Sequence, residues 1–261
     1  MSYLNNVTGY RKDLLMNRSV VKRANYAVIE PDGIVKNTVP GFEGCDVTIL
    51  ASPKLGASFV DYLVTVHADG KNALGFGTGE EEVLFYVMEG SLTVKADKKY
   101  EMKQGGYVYC PPGTKLYFEN KSGQDVRAFL YKRIYNHIAG HQPYVVTGNM
   151  EEKEWMDYEG MTDVRVKDFL PTNDLAFDCN LHILTFKPGA CHGYVETHVQ
   201  EHGAYCLSGE GMYNLDNDWI PVKKGDYLFM GAYCPQACYA VGRGEEFAYV
   251  YSKDCNRDVT L

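Results

Sequence analysis

Three side chains that can bind a metal lie close together in the second half of the sequence. Glu196, His198 and His202 fall within the run ETHVQEHGAYCLSGEG, two and four residues apart and before a glycine turn. Alternate residues of an extended strand face one side, so these side chains point the same way if the segment is extended. Carboxylate and imidazole together suit a divalent ion such as Mn²⁺, Fe²⁺ or Zn²⁺. The spacing therefore predicts a metal site.

Short strands must position these ligands. Many short runs with alternating apolar and polar residues are bounded by Gly, Pro, Asn and Asp, which favours antiparallel β-structure. Examples are SFVDYLVTV, LTVKA and FLYKRIY in the first half, and LHILTFKP, MYNL and FAYVYSK in the second. A short helix is predicted only for MEEKEWMD, at Met150–Asp157. The fold class predicted is all-β.

The same order of runs occurs twice. In the first half LFYVMEGSLTV is followed by KQGGYVYCPPGTKLYFEN and RAFLYKR; in the second, GAYCLSGEGMYNL is followed by KKGDYLFMGAYCPQACYAVGRGE and FAYVYSK. This duplication predicts two tandem jelly-roll β-barrels of about a hundred residues each, with a short helical connection. We place an N-terminal barrel at residues 1–140, a connector at 141–165 and a C-terminal barrel at 166–261.

Composition excludes several classes of protein. The net charge of −8 and the lack of a basic tract give no support to nucleic-acid binding. No apolar stretch has transmembrane length, and the N-terminus lacks a continuous apolar signal core, so we expect a cytoplasmic protein without membrane partners. The eight cysteines have no zinc-finger spacing, and we interpret them as free thiols.

The duplicated motifs resemble those of the cupin superfamily, G-x5-H-x-H-x(3,4)-E-x6-G followed by G-x5-P-x-G-x2-H-x3-N. The first half matches the second motif at Gly105, Pro111, Gly113 and Asn120. However, Leu116 takes the histidine position, and the first-motif run GFGTGEEEVLFYVMEG has no histidine. The resemblance thus implies an N-terminal barrel without metal ligands. Glu80, Glu81 and Glu82 are able to bind a cation, but without a nearby imidazole we interpret them as a solvated charge run.

The second half keeps ligands but changes their identity. Glu196 and His198 take the two histidine positions of the first motif, and His202 takes the glutamate position. Gln236, between Cys234 and Cys238, falls at the histidine position of the second motif. The resemblance implies that Glu196, His198, His202 and Gln236 bind one metal and leave two octahedral positions for water or substrate.

The pattern E-x-H-x3-H with a distant Gln is similar to that of the bicupin (S)-ureidoglycine aminohydrolases. The similarity extends from LNNVTGYRKDLL to YSKDCNRDV. It implies Mn²⁺ and a hydrolase of amidine-type C–N bonds that converts (S)-ureidoglycine to (S)-ureidoglycolate and ammonia in purine (allantoin) degradation. It also implies a homo-oligomer. Family substrate contacts carry over onto Glu196, Tyr213, Tyr249 and Lys253, of which Glu196, Tyr249 and Lys253 are the implied catalytic residues.

Each of these roles has a plainer alternative. Lys253 shares a strand face with Tyr249, and a lysine inside a barrel requires an anion. Alternatively, Lys253 is an ordinary surface lysine. Tyr213 can simply pack the barrel mouth, and His192 can either support the metal ligands or have no such role. At the level of function, the alternatives are another cupin metalloenzyme, an oxygenase or isomerase, and a non-catalytic small-molecule-binding cupin.

Overall fold

The structure is a computed structural model that describes residues 18–31 and 35–259. The run LNNVTGYRKDLL, which contributes to the family resemblance, lies outside the described residues. Within the described ranges the chain consists of strands, turns and bends and has no α-helix. The all-β prediction is therefore confirmed. In the same ranges, no helix has the length and apolar character needed to cross a membrane.

Eleven strands occur between residues 18 and 134 in the described part of the chain. They are β1 Val20–Lys22, β2 Tyr26–Ile29, β3 Lys36–Asn37, β4 Phe42–Ala51, β5 Phe59–Phe76, β6 Glu81–Glu89, β7 Ser91–Lys95, β8 Lys99–Lys103, β9 Gly106–Cys110, β10 Leu116–Glu119 and β11 Val126–Ile134. The remaining strands are β12 Val146–Asn149, β13 Met156–Tyr158, β14 Met161–Asp168, β15 Cys179–Phe186, β16 His202–Ser208, β17 Glu210–Leu215, β18 Asp218–Lys223, β19 Tyr227–Met230, β20 Gln236–Ala240 and β21 Phe247–Asp254.

These strands form one large sheet for each half and a small third sheet. The first has the order β12-β9-β6-β11-β5-β10-β7-β8, with β4 pairing β5 and β3 pairing β4. The second has the order β1-β2-β19-β16-β21-β15-β14-β13, and β18-β17-β20 forms the third. The early strands β1 and β2 thus join the sheet of the second half. The domain boundaries at residues 140 and 165 stay predictions, because sheet pairing does not define independently folding units.

Alternation along the strands builds three cores. On β11, Val126, Ala128 and Leu130 face an apolar cluster inside the first barrel, whereas Phe129 and Tyr131 face a second cluster. That second cluster contains residues of both halves and lies between the barrels. Both faces of β11 are therefore buried, which explains its largely apolar sequence.

The interior of the second barrel holds the third core and the predicted site. On β21, Phe247, Tyr249 and Tyr251 face this interior, whereas Val250 faces the cluster between the barrels. The proposed ligand His202 begins β16, which pairs with β21 and β19. The period of two along these strands consequently sends tyrosine and histidine side chains into one barrel.

The helix predicted for Met150–Asp157 is wrong. The Met150 N–H donates to the carbonyl oxygen of Gly105 at 2.8 Å, and the Glu151 N–H donates to Asn149 Oδ1 at 2.8 Å. The N–H groups of Met150 and Glu151 are therefore not available for the hydrogen bonds of a helix, and the segment forms a turn instead. The end of the segment then enters strand β13. The predicted helical connection is therefore replaced by turns and short strands.

Candidate active site

Two imidazole rings face each other in the second barrel. His198 Nε2 and His202 Nε2 lie 3.3 Å apart. His202 Nδ1 lies 2.8 Å from the carbonyl oxygen of Ser252, and His198 Nδ1 lies 3.1 Å from that of Gln200. Because a carbonyl oxygen only accepts, each Nδ1 carries the ring proton and each Nε2 presents a lone pair. The backbone therefore aims two lone pairs at one place.

Burial keeps both rings neutral. Desolvation lowers the pKa of His202 well below its ordinary value and also lowers the pKa of His198. The positive charge of Lys253 lowers both pKa values further. Two neutral imidazoles with facing lone pairs need a cation between them, and a low pKa disfavours a proton in that position. A metal ion fits this donor arrangement.

Gln236 and Glu196 complete the group through a backbone bridge. The Glu196 N–H donates to the Gln236 carbonyl at 3.0 Å, and the Gln236 N–H donates to the Glu196 carbonyl at 2.9 Å. The Gln236 amide lies 3.2 Å from His198 Nε2, and a rotation of this amide exchanges its nitrogen for its oxygen. Glu196 Oε2 lies 3.9 Å from the same nitrogen. The bridge thus holds both oxygen donors beside the imidazoles.

The spacing of these donors suits a divalent ion. Two ligands at right angles, each ~2.1 Å from one ion, lie about 3 Å apart, close to the separations around His198 Nε2. The structure therefore brings the four predicted ligands together, although it arranges them differently from a single strand. His202 begins β16 and Gln236 begins β20, whereas Glu196 forms an isolated bridge and His198 lies in the intervening loop. The role of the four residues as ligands stays a prediction.

Gly203 lets the strand of His202 approach the first barrel. A Cβ atom at Gly203 would lie 1.9 Å from Asp61 Oδ2 and 2.3 Å from the Tyr227 hydroxyl oxygen. The Tyr227 hydroxyl donates to Asp61 Oδ2 at 2.7 Å, and the Gly203 N–H donates to Ser252 Oγ at 3.1 Å. No side chain fits between these groups. The position of His202 therefore depends on contacts from both barrels.

The predicted substrate residues line one cavity with three of the four predicted metal ligands, Glu196, His202 and Gln236. Tyr213, Tyr249 and Lys253 share a cavity with Glu196 and His202. The Tyr213 and Tyr249 hydroxyl oxygens are 3.1 Å apart, and burial raises the pKa of both well above the ordinary value. Both hydroxyls are thus neutral. Burial raises the pKa of Glu196, and the charge of Lys253 opposes this rise.

Three further polar side chains line this cavity, namely Tyr158, His192 and Tyr251. Tyr158 lies on β13 within the predicted connector, where its position in the sequence gave no reason to expect a site residue. His192 is buried and makes no hydrogen bond to a proposed metal ligand; the described contact of its Nδ1 is with the backbone of Cys238. Backbone carbonyls, and not His192, orient the two imidazoles that we predict to be ligands.

A histidine–aspartate pair lies beside the cavity. His182 Nδ1 is 2.6 Å from Asp168 Oδ1, and the His182 ring stacks on Tyr251 with centroids 4.9 Å apart. The opposite neighbour of Tyr251 is His202, whose ring meets it edge-on at 5.3 Å. The Tyr251 ring therefore separates His182 from the proposed metal ligands.

A second group of potential metal ligands lies between the barrels. Glu82, Asp178 and Cys179 are all buried, and their ligand atoms lie within 4.8 Å of one another. The interpretation of Glu80–Glu82 as a solvated run is wrong for Glu82, which is 0% exposed. Glu82 lies on β6 between the two halves, and the Tyr109 hydroxyl donates to its Oε2 at 2.6 Å. The group could hold a metal ion.

The surroundings of this second group already supply a positive charge. Arg133 Nε lies 3.9 Å from Glu82 Oε1, and both atoms are buried without a hydrogen-bond partner. Burial, together with the negative charge of Asp178, raises the pKa of Glu82 to about 8. Burial also raises the pKa of the Cys179 thiol well above its ordinary value. A neutral thiol and an adjacent guanidinium make this group a poorer fit to a cation than the four residues in the second barrel.

The cupin domain family matches the chain twice, at residues 75–131 and 182–251. These matches confirm the prediction of two tandem cupin barrels. They also coincide with the two halves in which the sequence repeats its order of strands.

Full-length relatives are similar to this chain. The (S)-ureidoglycine aminohydrolase of Escherichia coli (strain K12) is 62% identical over 262 residues, with 100% of both chains covered. The probable (S)-ureidoglycine aminohydrolase of Oryza sativa subsp. japonica is 32% identical over 92% of this chain and 76% of the rice protein. The crystal structure of protein Ylba from E. coli has a TM-score of 0.86 and 56% identity, covering 97% of this chain and 100% of that one.

Proposed function

The chain belongs to the (S)-ureidoglycine aminohydrolase family of bicupins, and from this premise we propose how it releases ammonia from (S)-ureidoglycine in purine degradation. The reaction takes place in the second barrel, where Glu196, His198, His202 and Gln236 bind Mn²⁺. The observation that carries this proposal is the 3.3 Å approach of two neutral imidazole nitrogens, each oriented by a backbone carbonyl.

The proposed ligands suit a divalent ion that can also bind a substrate with several heteroatoms. When bound, a divalent ion supplies positive charge that orients the substrate and withdraws electrons from the reacting carbon. Two imidazoles, a carboxylate and an amide oxygen suit manganese, which accepts both nitrogen and oxygen donors. The four residues would hold the ion, and an octahedral ion held by four protein ligands would keep two positions for substrate or water.

The other cavity residues bind and orient the substrate. The Lys253 ammonium pairs with the substrate carboxylate, which gives the lysine the anion that a barrel interior requires. Tyr213 and Tyr249 share one hydrogen bond, so one of their two hydroxyl protons remains free for the substrate. Selection of the (S)-enantiomer requires three contacts around one tetrahedral carbon, and we assign these to Lys253, the tyrosine hydroxyls and the metal ion.

Glu196 moves the proton in this proposal. A water molecule forms the new C–O bond to the tetrahedral carbon, and the C–N bond to the amine breaks. Glu196 accepts a proton from the water and passes it to the departing amine, so that ammonia leaves as a neutral molecule.

An ammonia-release assay tests this function. Freshly prepared (S)-ureidoglycine is added to protein stripped of metal and then to protein reloaded with Mn²⁺. We expect rapid ammonia release only after reloading. Release no faster than the spontaneous decay of the substrate would contradict the proposal, and turnover that requires O₂ would favour the oxygenase alternative.

We further propose a homo-oligomer in the cytoplasm. The edge strands β1 and β13 of the second barrel carry exposed apolar side chains, with Val21 59% and Met156 48% exposed. A second copy of the chain would cover such edges. The eight cysteines are free, which favours a reducing compartment. Light scattering tests assembly: a particle mass of 29.4 kDa, that of one chain, would contradict it.

A further inference from the structure

His192 has a fixed tautomer. The Cys238 N–H donates to His192 Nδ1 at 3.2 Å, so Nδ1 is the acceptor of the ring. Burial lowers the pKa of His192 to about 4, and the ring is therefore neutral near pH 7. A neutral imidazole carries one proton, and since Nδ1 accepts, that proton lies on Nε2. His192 thus presents a neutral N–H donor on the edge of the ring opposite β20.

This donor has no hydrogen-bond partner among residues 18–31 and 35–259. His192 is 3% exposed, and its Nε2 is buried without a hydrogen bond in the described structure. The ring lines the same cavity as Glu196 and His202. An unsatisfied buried donor costs free energy, so its presence at the wall of a substrate cavity indicates a ligand acceptor.

The surroundings select the kind of acceptor. The rings of Phe186, Tyr158 and Tyr194 lie 5.2, 5.9 and 6.3 Å from the His192 ring. An anion in such an aromatic corner would lose hydration without meeting a positive charge. A neutral carbonyl oxygen needs only a neutral donor there. The corner therefore suits an uncharged acceptor better than a carboxylate.

The lysine enters the cavity from elsewhere. Lys253 pairs with Asn180 across the β15–β21 ladder, whereas Phe186, which contacts His192, pairs with Phe247 at the other end of that ladder. The cation and the neutral donor thus approach from opposite ends of one strand pair. A substrate with a carboxylate at one end and an uncharged carbonyl at the other matches this arrangement.

We propose that His192 Nε2–H donates a hydrogen bond to the ureido carbonyl oxygen of the substrate and so recognises the carbamoyl end. This assignment rests on the proposed function. It makes His192 a specificity residue: Lys253 selects for a carboxylate, and His192 selects for the ureido group at the other end.

Two unreactive ligands and two variants of the manganese-loaded protein test this role. N-carbamoylglycine carries the ureido group and a carboxylate, whereas glycolate carries the carboxylate without the ureido group. In His192→Asn the side-chain oxygen still accepts from the Cys238 N–H, but the side chain is too short to donate at the position of Nε2. We expect calorimetry to show about tenfold weaker binding of N-carbamoylglycine, with glycolate changed less than about twofold.

His192→Gln is the matched control, because its amide nitrogen reaches the position of Nε2. We expect it to bind N-carbamoylglycine within about threefold of the unchanged protein. Equal weakening of both ligands in His192→Asn, or no weakening of either, would overturn the assignment. If His192→Asn does not fold, His192→Phe keeps a ring, removes both nitrogens and gives the same comparison.

The ammonia assay on the unchanged protein separates this inference from the proposed function. Protein that releases no ammonia but binds N-carbamoylglycine through His192 would refute the reaction and support the ureido contact. Protein that releases ammonia, with ligand binding unaffected in His192→Asn, would refute the contact alone.

Discussion

Ser252 fixes the ring of His202: its carbonyl oxygen lies 2.8 Å from His202 Nδ1, and its hydroxyl accepts the N–H of the adjacent Gly203 at 3.1 Å. Ser252 lies on β21, the strand that also carries Tyr249 and Lys253. One strand therefore orients a proposed metal ligand and presents two of the proposed substrate contacts. A displacement of β21 would disturb the metal ligands and the substrate residues together.

Removing either imidazole should abolish metal binding. We expect His198→Ala and His202→Ala to reduce bound manganese from about one ion per chain to less than about a tenth, because each deletes a ligand from a preformed set. Elemental analysis after dialysis against Mn²⁺ measures this content. His141→Ala, which changes a histidine in the connector, should keep the full content. Full manganese in both ligand variants would place the ion elsewhere.

A methyl group at Gly203 should disturb both the fold and the site. Because the added Cβ meets Asp61 Oδ2 at 1.9 Å, Gly203→Ala should lower the free energy of unfolding by about 1–3 kcal/mol and weaken manganese binding. Urea unfolding and metal titration measure the two effects. Gly193→Ala is a suitable control, since nothing lies within 4 Å of the position of its Cβ. Equal stability of Gly203→Ala and Gly193→Ala would show that the two barrels can move apart at Gly203 at little cost in free energy.

The proposed ligands can be predicted from sequence, but their arrangement cannot. Glu196, His198 and His202 are close in the chain, and the motif position identifies Gln236. What brings the four together is the backbone bridge between Glu196 and Gln236, which joins a loop to a distant strand. A pairing over such a separation leaves no pattern in a single sequence.

Burial between the barrels also escapes sequence reasoning. Three consecutive glutamates are typical of a solvated surface, yet Glu82 faces Arg133 and Asp178 from other parts of the chain. The free donor of His192 has the same origin, because it depends on the backbone N–H of Cys238. In both cases a tertiary partner, and not the local residue pattern, determines the chemistry of the side chain.

The buried Glu82 should make stability depend on pH. Burial raises its pKa from an ordinary value of 4.5 to about 8. A group whose pKa is raised by folding contributes its full stabilisation below the pKa of the unfolded chain. That contribution is lost as the pH rises to the pKa of the folded protein. Between about pH 4.5 and 8, the free energy of unfolding should therefore fall by up to about 1.4 kcal/mol per pH unit.

Glu82→Gln should flatten this dependence, because the amide remains neutral at every pH. Denaturant unfolding at a series of pH values compares the slopes of the variant and the unchanged protein. Glu81→Gln is the matched control, since Glu81 pairs with Lys132 at 3.0 Å near the surface. It should keep the original slope. Identical slopes in all three proteins would mean that Glu82 is ionised in the fold.

Lys253 and Tyr249 should affect catalysis to different extents. Lys253→Met removes the cation that pairs with the substrate carboxylate, so we expect kcat/KM for ammonia release to fall by about 10- to 100-fold, mainly through KM. Tyr249→Phe removes a neutral hydroxyl and should cost about fivefold to tenfold. The exposed Lys223 provides the control Lys223→Met, which should leave kcat/KM unchanged. Near-normal turnover in both Lys253→Met and Tyr249→Phe would remove these residues from the catalytic set, because the loss of a real substrate contact must lower kcat/KM.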